Sequence, residues 1–201
     1  MKVVLASASP RRKELLTQIG WEFSVCVSEV EEVITKKLPA EVVEELSQQK
    51  AEAVASLWKA NEKEQEESVL VIGADTVVSC EEQILGKPAN KADAVRMLSM
   101  LEGKSHQVYT GVTLILLQKG KERLRRTFHE ETRVTFYSMT EEEIFSYVES
   151  KEPEGKAGSY AIQGLCARFI RGIEGDYNNV VGLPVGRVYQ EVHKMIREIK
   201  D

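Results

Sequence analysis

The apolar run VLVIGADTVVS, residues 69–79, constrains the fold of this chain more than any other stretch. The run predicts a β-strand, because it is continuous, apolar and rich in β-branched residues, yet it carries one carboxylate, Asp75, in its middle. An unpaired carboxylate is costly to bury. Mg²⁺ or water at a strand end that opens on a cleft would remove the cost, as would loop amides or a buried lysine. Gly73 permits close approach of backbone or ligand at this point.

Helices and strands alternate along the rest of the chain. Further strands are predicted at residues 3–6, 106–117, 125–138 and 167–173, and the second and third of these are joined through QKGKE as a hairpin. Helices are predicted at residues 10–19, 40–58, 91–103 and 140–150 and from residue 184 onward. Polar loops are expected at 61–67 and 174–184. This order predicts an α/β fold with a mixed sheet.

Composition limits the function classes. A chain of 201 residues with 42% hydrophobic residues suits one domain, or two lobes around a shared core. The net charge of −5 argues against a nucleic-acid or acidic-membrane surface. No apolar run approaches the roughly 18 residues of a membrane span, and the N-terminus lacks a signal-peptide pattern. Three widely spaced cysteines, Cys26, Cys80 and Cys166, are expected to be small buried hydrophobes, and a reducing cytoplasm fits them.

The helix that begins at SPRR carries two arginines where cations are disfavoured. Ser9 suits the N-cap and Pro10 the first helical position, so Arg11 and Arg12 lie at the positive end of the helix dipole. Free backbone N–H groups, forked guanidinium groups and the hydroxyl of Ser7 together match phosphate oxygens. The alternative is a capped surface helix with solvated arginines.

Two lysines extend the cationic set. Lys50 lies four residues from both Leu46 and Val54, on the apolar stripe of the helix at 40–58, which also includes Val43 and Leu57. It either extends to solvent along that stripe or reaches a phosphate inside a cleft. Lys87 lies in the turn GKP, where lysines are usually solvated.

The glycine-rich loop EGKAGSYAIQG, residues 154–164, does not have the spacing of a Walker loop. Gln163 offers an amide that can read a base edge, although a flexible connection is the alternative for this loop. Glu31 and Glu32 either hold a metal or are solvated. No ligand spacing joins the three histidines, His106, His129 and His193. Together, the arginines, lysines and carboxylates described above predict binding of a phosphorylated small molecule, with a divalent metal.

Six segments in this order resemble the Maf family of nucleotide pyrophosphatases: LASASPRRKELL, GADTVV, GKP, HQVYTGV, KAGSYAIQG and VVGLP. The resemblance covers essentially the whole chain, 1–201, as one domain. It implies an elongated mixed β-sheet flanked by helices around a deep cleft, similar to the inosine-triphosphate pyrophosphatase fold. It also implies hydrolysis of a nucleoside triphosphate between the α- and β-phosphates, supported by Mg²⁺ or Mn²⁺. GADT with AIQG resembles the branch that acts on dTTP and UTP.

The resemblance also implies residue roles. Asp75 matches the catalytic acid–base position, and Glu32 and Asp75 match positions around the metal. Three residues match positions linked to base preference: Arg11, Thr76 and Gln163. Four match positions around the triphosphate: Ser7, Arg12, Lys50 and Lys87. The chain departs from the family pattern at Gly155, where an aspartate is common, so that Glu154 is left to supply the charge.

Other readings stay open at this point. The Maf name is associated with inhibition of septum formation, so a nucleotide-binding regulator is the main alternative to a house-cleaning enzyme. A nucleic-acid-binding module is opposed by the acidic charge balance. The resemblance further suggests a homodimer, and we expect no nucleic-acid or membrane partner.

Overall fold

The computed structural model describes residues 1–27, 31–60 and 68–200. The strands are β1 Lys2–Leu5, β2 Ser24–Val25, β3 Val69–Cys80, β4 Gln83–Leu85, β5 Ser105–Gln118, β6 Lys121–Phe136 and β7 Ile170–Glu174. The helices are α1 Pro10–Gln18, α2 Pro39–Ala60, α3 Lys91–Leu101, α4 Glu141–Glu149, α5 Tyr177–Val181 and α6 Val185–Lys200. Short 3-10 helices occupy Ala157–Ser159 and Leu165–Phe169. Within the described ranges, no helix is both long and apolar enough to cross a membrane.

The strands form one mixed sheet in the order β2-β1-β3-β5-β6-β7, and β4 pairs with β3. β1 runs parallel to both β2 and β3, whereas β4 is antiparallel to β3 and β7 is antiparallel to β6. Lys119 and Gly120, which join β5 to β6, both have positive φ, as a tight hairpin turn requires. The predicted α/β fold with a mixed sheet is confirmed.

The chain divides into two compact units. The first comprises Met1–Asp75, Thr110–Glu130 and Gly182–Asp201, and the second Thr76–Tyr109 and Glu131–Val181. In the first unit, α2 packs Ala51, Val54 and Ala55 against side chains of β1, β3 and β5. In the second unit, the largest fully buried side chains come from β4, α3, β6 and α4: Leu85, Leu98, Leu101, Phe136 and Tyr147.

Local sequence rules account for most helix starts. The Ser9 hydroxyl accepts a hydrogen bond from the backbone N–H of Arg12, with Pro10 as the first helical residue. Thr140 and Glu143 form the reciprocal capping box that their spacing predicts. All three cysteines are free thiols, and Cys80 and Cys166 are buried as expected, whereas Cys26 is half-buried.

Two predictions about local structure were wrong. Leu57 is 59% exposed, and the apolar stripe of α2 continues instead through Trp58. Trp58 lies about 40° around the helix from Val54, nearer than Leu57 at about 60°. The loop predicted at 174–184 contains α5. Its polar sequence hides the helix, but the Asp176 carboxylate accepts the N–H of Asn178 at 2.8 Å and so caps the first turn. The acidic turn predicted at 61–67 lies outside the described residues.

Candidate active site

Two glycines allow α2 to lie close against the strands of the first unit. A Cβ atom at Gly73 of β3 would collide with the carbonyl oxygen of Ser47, and one at Gly111 of β5 would approach the N of Glu44 to 2.6 Å. The close approach at Gly73 is therefore made by the backbone of a helix. Asp75 is two residues beyond Gly73 and projects from the same face of the strand, toward α2.

The mid-strand carboxylate is paired with a lysine. Lys50 of α2 donates a hydrogen bond to Asp75 Oδ1, and its Nζ lies 3.1 Å from Glu32 Oε1. The side chains of Lys50 and Asp75 are only 19% and 15% exposed, whereas that of Glu32 is 49% exposed. Lys50 therefore does not extend to solvent. A lysine, one of the partners that the sequence left open for Asp75, is observed, and it is half-buried.

The segment that carries Glu32 is fastened to α2 by residues that sequence reasoning missed. The Gln49 amide both accepts the N–H of Val33 at 3.0 Å and donates to its carbonyl at 2.6 Å. The Glu45 carboxylate accepts the N–H and hydroxyl of Thr35 at 2.9 and 2.5 Å. Glu45 and Gln49 are four residues apart on one helix face. That spacing was the available indication, but nothing local identified the segment they hold.

The start of α1 holds a second polar cluster. The Arg12 guanidinium donates to the Ser7 hydroxyl at 3.1 Å and to the Gly182 carbonyl at 2.8 Å. Ser7 is buried and also accepts the N–H of Ser9 at 3.3 Å. The reading of Arg12 as a solvated surface residue is therefore wrong.

Burial dominates the electrostatics of both arginines. It lowers the pKa of Arg12, and the negative charges of Asp75 and Glu32 partly offset that effect. Burial likewise lowers the pKa of Arg11, while Glu14 raises it. Both guanidinium groups remain cationic at neutral pH, since an arginine is effectively always protonated. The first unit thus places two cationic side chains, Arg12 and Lys50, near the carboxylates of Asp75 and Glu32.

Glu32 and Asp75 fit a divalent cation. Both contact one ammonium group, so a positive charge already lies between two hard oxygen donors. Among the residues that the structure describes, no cluster of three or more His, Cys, Asp or Glu forms a complete protein cage. Two carboxylates suffice for Mg²⁺, which is often held by one or two of them together with substrate phosphates.

The remaining predicted site residues belong to the second unit. Thr76 is half-buried on β3, Lys87 is exposed between β4 and α3, and Gln163 is exposed between the two 3-10 helices. Gly155 has a φ of +69°, in the left-handed region that favours glycine over aspartate. Lys156 does not need an aspartate there to orient it, because its ammonium donates to the Glu152 carbonyl at 2.5 Å.

The segment around Gln163 is held by two side chains that sequence reasoning also missed. The Tyr147 hydroxyl accepts the N–H of Ala161 at 3.2 Å and donates to the Glu152 carboxylate at 2.7 Å. Glu152 in turn accepts the N–H groups of Leu165 at 2.8 Å and Cys166 at 3.3 Å. Gln163 therefore lies between backbone groups that are fixed on both sides.

The three histidines contact different side chains. His106 is fully buried and shares a hydrogen bond of 2.8 Å with the Tyr160 hydroxyl. His129 contacts Glu44 at 2.7 Å, and His193 lies beside the ring of Tyr189, with centroids 4.2 Å apart.

Comparison with known proteins decides the family. A sequence profile of the family described as "Maf-like protein" matches residues 2–195. The chain belongs to the Maf family. A protein of Agathobacter rectalis named dTTP/UTP pyrophosphatase is 57% identical over 199 residues, which cover 96% of this chain and 97% of that protein. Proteins with the same name from Lachnoclostridium phytofermentans and Bacillus anthracis are 50% and 51% identical and are each covered to 94%.

Solved structures give weaker likenesses. A HAM1 protein from Coxiella burnetii has a TM-score of 0.46 at 14% identity, covering 98% of this Maf chain and 99% of that chain. The Ham1 protein of Staphylococcus aureus has a TM-score of 0.41 at 14% identity, covering 68% and 72%. Likenesses at this level support no conclusion about activity.

Proposed function

We propose that this Maf protein hydrolyses dTTP and UTP to the nucleoside monophosphate and pyrophosphate. The observation that carries the proposal is the Glu32–Lys50–Asp75 cluster, a half-buried lysine held between two carboxylates beside a basic helix start. The name shared by relatives at 50–57% identity supports the same substrates. It also disfavours a regulator of septum formation that only binds nucleotide.

The reaction joins a water oxygen to the α-phosphorus and breaks the bond from that phosphorus to the bridging oxygen. Asp75 accepts the proton that the water loses, and pyrophosphate leaves with the electron pair of the broken bond. Asp75, a mid-strand carboxylate that accepts a hydrogen bond from Lys50, supplies the acceptor oxygen for this proton. Asp75 acts in this scheme as a general base.

Cationic side chains offset the charge of the triphosphate. The substrate carries about four negative charges, and more charge develops on the departing pyrophosphate. Arg12 and Lys50, with the Ser7 hydroxyl, supply donors from the first unit, and the family pattern adds Lys87. As Lys50 turns toward a phosphate it releases its hydrogen bond to Asp75, which frees that carboxylate to accept a proton.

Glu32 and Asp75 would hold a divalent cation, Mg²⁺ or Mn²⁺. When bound, such an ion neutralises phosphate charge and lowers the pKa of coordinated water. Gln49 and Glu45 serve this site indirectly, because they hold the segment that presents Glu32.

Base preference is proposed to depend on Arg11, Thr76 and Gln163. The Gln163 amide carries one acceptor and one donor group and is exposed, as a group that contacts a nucleobase must be. Five further expectations stay predictions: a single domain over 1–201, a cytoplasmic location, a homodimer, a house-cleaning role and the lack of nucleic-acid or membrane partners.

The first test is an end-point assay with Mg²⁺ or Mn²⁺ against dTTP, UTP, CTP, GTP and 7-methyl-GTP, with separate detection of pyrophosphate and phosphate. Pyrophosphate from dTTP and UTP, absent with Asp75→Asn, is the expected result. Phosphate as the primary product would move cleavage to another bond. Binding without turnover across the panel would favour the regulator.

A further inference from the structure

Gln163 is exposed, yet the chain on both sides of it is held by a buried tyrosine and a half-buried glutamate. Ala161 donates its N–H to the Tyr147 hydroxyl at 3.2 Å, and Leu165 donates its N–H to the Glu152 carboxylate at 2.8 Å. The Tyr147 hydroxyl also donates to that carboxylate at 2.7 Å. One connected pair of side chains therefore fixes both ends of a five-residue segment centred on Gln163.

The pair is itself well anchored. Tyr147 is fully buried in α4, and its ring meets that of Phe169 at a centroid distance of 6.5 Å and an angle of 75°. The Glu152 carboxylate fills the space beside Gly164, where any side chain would collide with it. Glycine is therefore required at 164 for this carboxylate to reach the amides of Leu165 and Cys166.

We propose that Tyr147 and Glu152 are positioning residues that set the orientation of Gln163 and thereby the preference for uracil and thymine over cytosine. The inference rests on the proposed function, since it deepens the role proposed for Gln163. Neither residue contacts the nucleotide in this scheme. Both act only through the backbone of residues 161–166.

The chemistry of the bases makes orientation decisive. Uracil and thymine present an N3–H donor beside a C4 carbonyl acceptor, whereas cytosine presents an N3 acceptor beside an N4 amino donor. A glutamine amide matches the first pattern in one orientation and the second after a half-turn. A side chain on a freely moving segment would adapt to either base. On a fixed segment the amide reaches the base edge from one defined place, and a base that does not match it there leaves donors facing donors.

The protonation states support this arrangement. Burial alone would raise the pKa of Glu152, but hydrogen bonds from Leu165, Tyr147 and Cys166 outweigh burial and lower it. Burial raises the pKa of the Tyr147 hydroxyl. At neutral pH Glu152 is therefore a carboxylate and Tyr147 a neutral phenol. The carboxylate accepts the N–H groups of Leu165 and Cys166 and the phenol O–H, and the phenol oxygen accepts the N–H of Ala161.

The kinetic test compares Tyr147→Phe with a control that loses a similar hydroxyl elsewhere in the second unit. Thr132 is buried, and its hydroxyl donates to the Asp176 carbonyl at 2.9 Å and accepts from Asn179 at 3.0 Å. Thr132→Val therefore also removes one hydroxyl that makes two hydrogen bonds, away from residues 161–166. We expect Tyr147→Phe to lower the ratio of kcat/KM for UTP over CTP about tenfold, and Thr132→Val to change it less than twofold. Equal changes in the two variants would overturn the inference.

A double-mutant cycle separates positioning from general loosening. Tyr147→Phe should change the UTP/CTP ratio about tenfold in the parent but less than twofold when Gln163 is already alanine, because nothing is left to position. An undiminished effect in the Gln163→Ala background would contradict the inference. Glu152→Gln, which keeps one acceptor oxygen, should retain more of the ratio than Glu152→Ala.

Hydrogen exchange provides a readout that does not depend on activity. Tyr147→Phe should speed exchange at the Ala161 amide at least tenfold, and Glu152→Ala should do so at Leu165 and Cys166, while Thr132→Val leaves all three within twofold. Unchanged protection would overturn the inference while leaving the proposed function standing. If the amides respond and Gln163→Ala leaves the UTP/CTP ratio unchanged, the proposed role of Gln163 has failed, and the inference falls with it.

Discussion

The two units of the molecule each hold a half-buried carboxylate, and they hold it differently. In the first unit, Asp75 is paired with the ammonium of Lys50, at the end of a flexible side chain. In the second, Glu152 accepts two backbone N–H groups and a buried phenol. A substrate phosphate or a cation can displace a lysine from a carboxylate, whereas backbone amides move only if the fold changes. The comparison agrees with the reactive role that we propose for Asp75 and with the positioning role that we propose for Glu152.

The largest expected contrast is in turnover. Asp75→Asn should lower kcat for dTTP at least 1,000-fold, about 4 kcal/mol of barrier, because an amide cannot accept the proton from water. The same exchange of acid for amide at Glu152→Gln should cost less than tenfold. Steady-state assays of released pyrophosphate measure both, with circular dichroism to check that each variant is folded. Similar losses in the two variants would erase the distinction between the carboxylates.

Buried His106 in the second unit should make the stability of the protein fall at acid pH. Burial lowers the pKa of His106 from 6.5 to about 4. Between these values the unfolded chain binds a proton that the folded chain does not, so stability falls as pH falls, by about 3 kcal/mol in total. Urea unfolding at pH 7 and pH 4.5 should show most of this loss. His106→Gln keeps a hydrogen-bond partner for the Tyr160 hydroxyl and should abolish the part of this stability loss that His106 causes. His193→Gln should leave the loss unchanged. Equal losses in the two variants would refute the assignment.

The lysine that pairs with Asp75 should matter more than a lysine in an ordinary surface pair. Lys50→Met is expected to lower kcat/KM about 50-fold, roughly 2.3 kcal/mol, since it removes a cation that offsets phosphate charge. Lys91 contacts Glu149 at 2.7 Å, but both side chains are largely exposed, so Lys91→Met should change kcat/KM less than twofold. A mild effect at Lys50 would mean that its ion pair with Asp75 serves only the fold.

The smallest effect concerns the segment that presents Glu32. Gln49→Ala removes both hydrogen bonds to Val33 and should raise the Mg²⁺ concentration needed for half-maximal activity about fivefold, roughly 1 kcal/mol. Gln48 hydrogen-bonds Glu52 on the same helix at 3.0 Å, so Gln48→Ala is the matched control and should change little. Equal Mg²⁺ titrations for the two variants would show that Glu32 does not depend on Gln49.

Sequence reasoning reached the fold class because local patterns specify each element separately. The cap at Ser9, the capping box at Thr140 and the apolar run of β3 are each decided within a few residues. It failed at Leu57, where packing around the axis of α2 decides which side chain is buried. It also failed at α5, which is held by a hydrogen bond from Asn179 to the distant Val108 carbonyl. The contact from Asn179 leaves no periodic pattern in the chain, whereas the burial of Trp58 in place of Leu57 agrees with the helical period.

Some residues of the candidate site could be identified from the sequence, and others could not. A charge in an unfavourable local setting is visible in sequence, and this identified Asp75 within an apolar strand, Lys50 on an apolar stripe and Arg12 at a helix start. Glu152, Tyr147 and Gln49 carry ordinary side chains in ordinary settings. Their importance lies in the backbone groups that they hold, and no local rule identifies those groups.

The sequence by itself determined the family, the order of the helices and strands other than β2, β4 and α5, and the charged residues proposed for the chemistry. Only the tertiary structure decided that Lys50 pairs with Asp75 across 25 residues of chain, that Gln49 holds Val33 and that Tyr147 and Glu152 hold the backbone beside Gln163. The physical reason is range. Propensity, capping and periodicity act over a few residues, whereas a hydrogen bond between distant segments depends on how the whole chain packs.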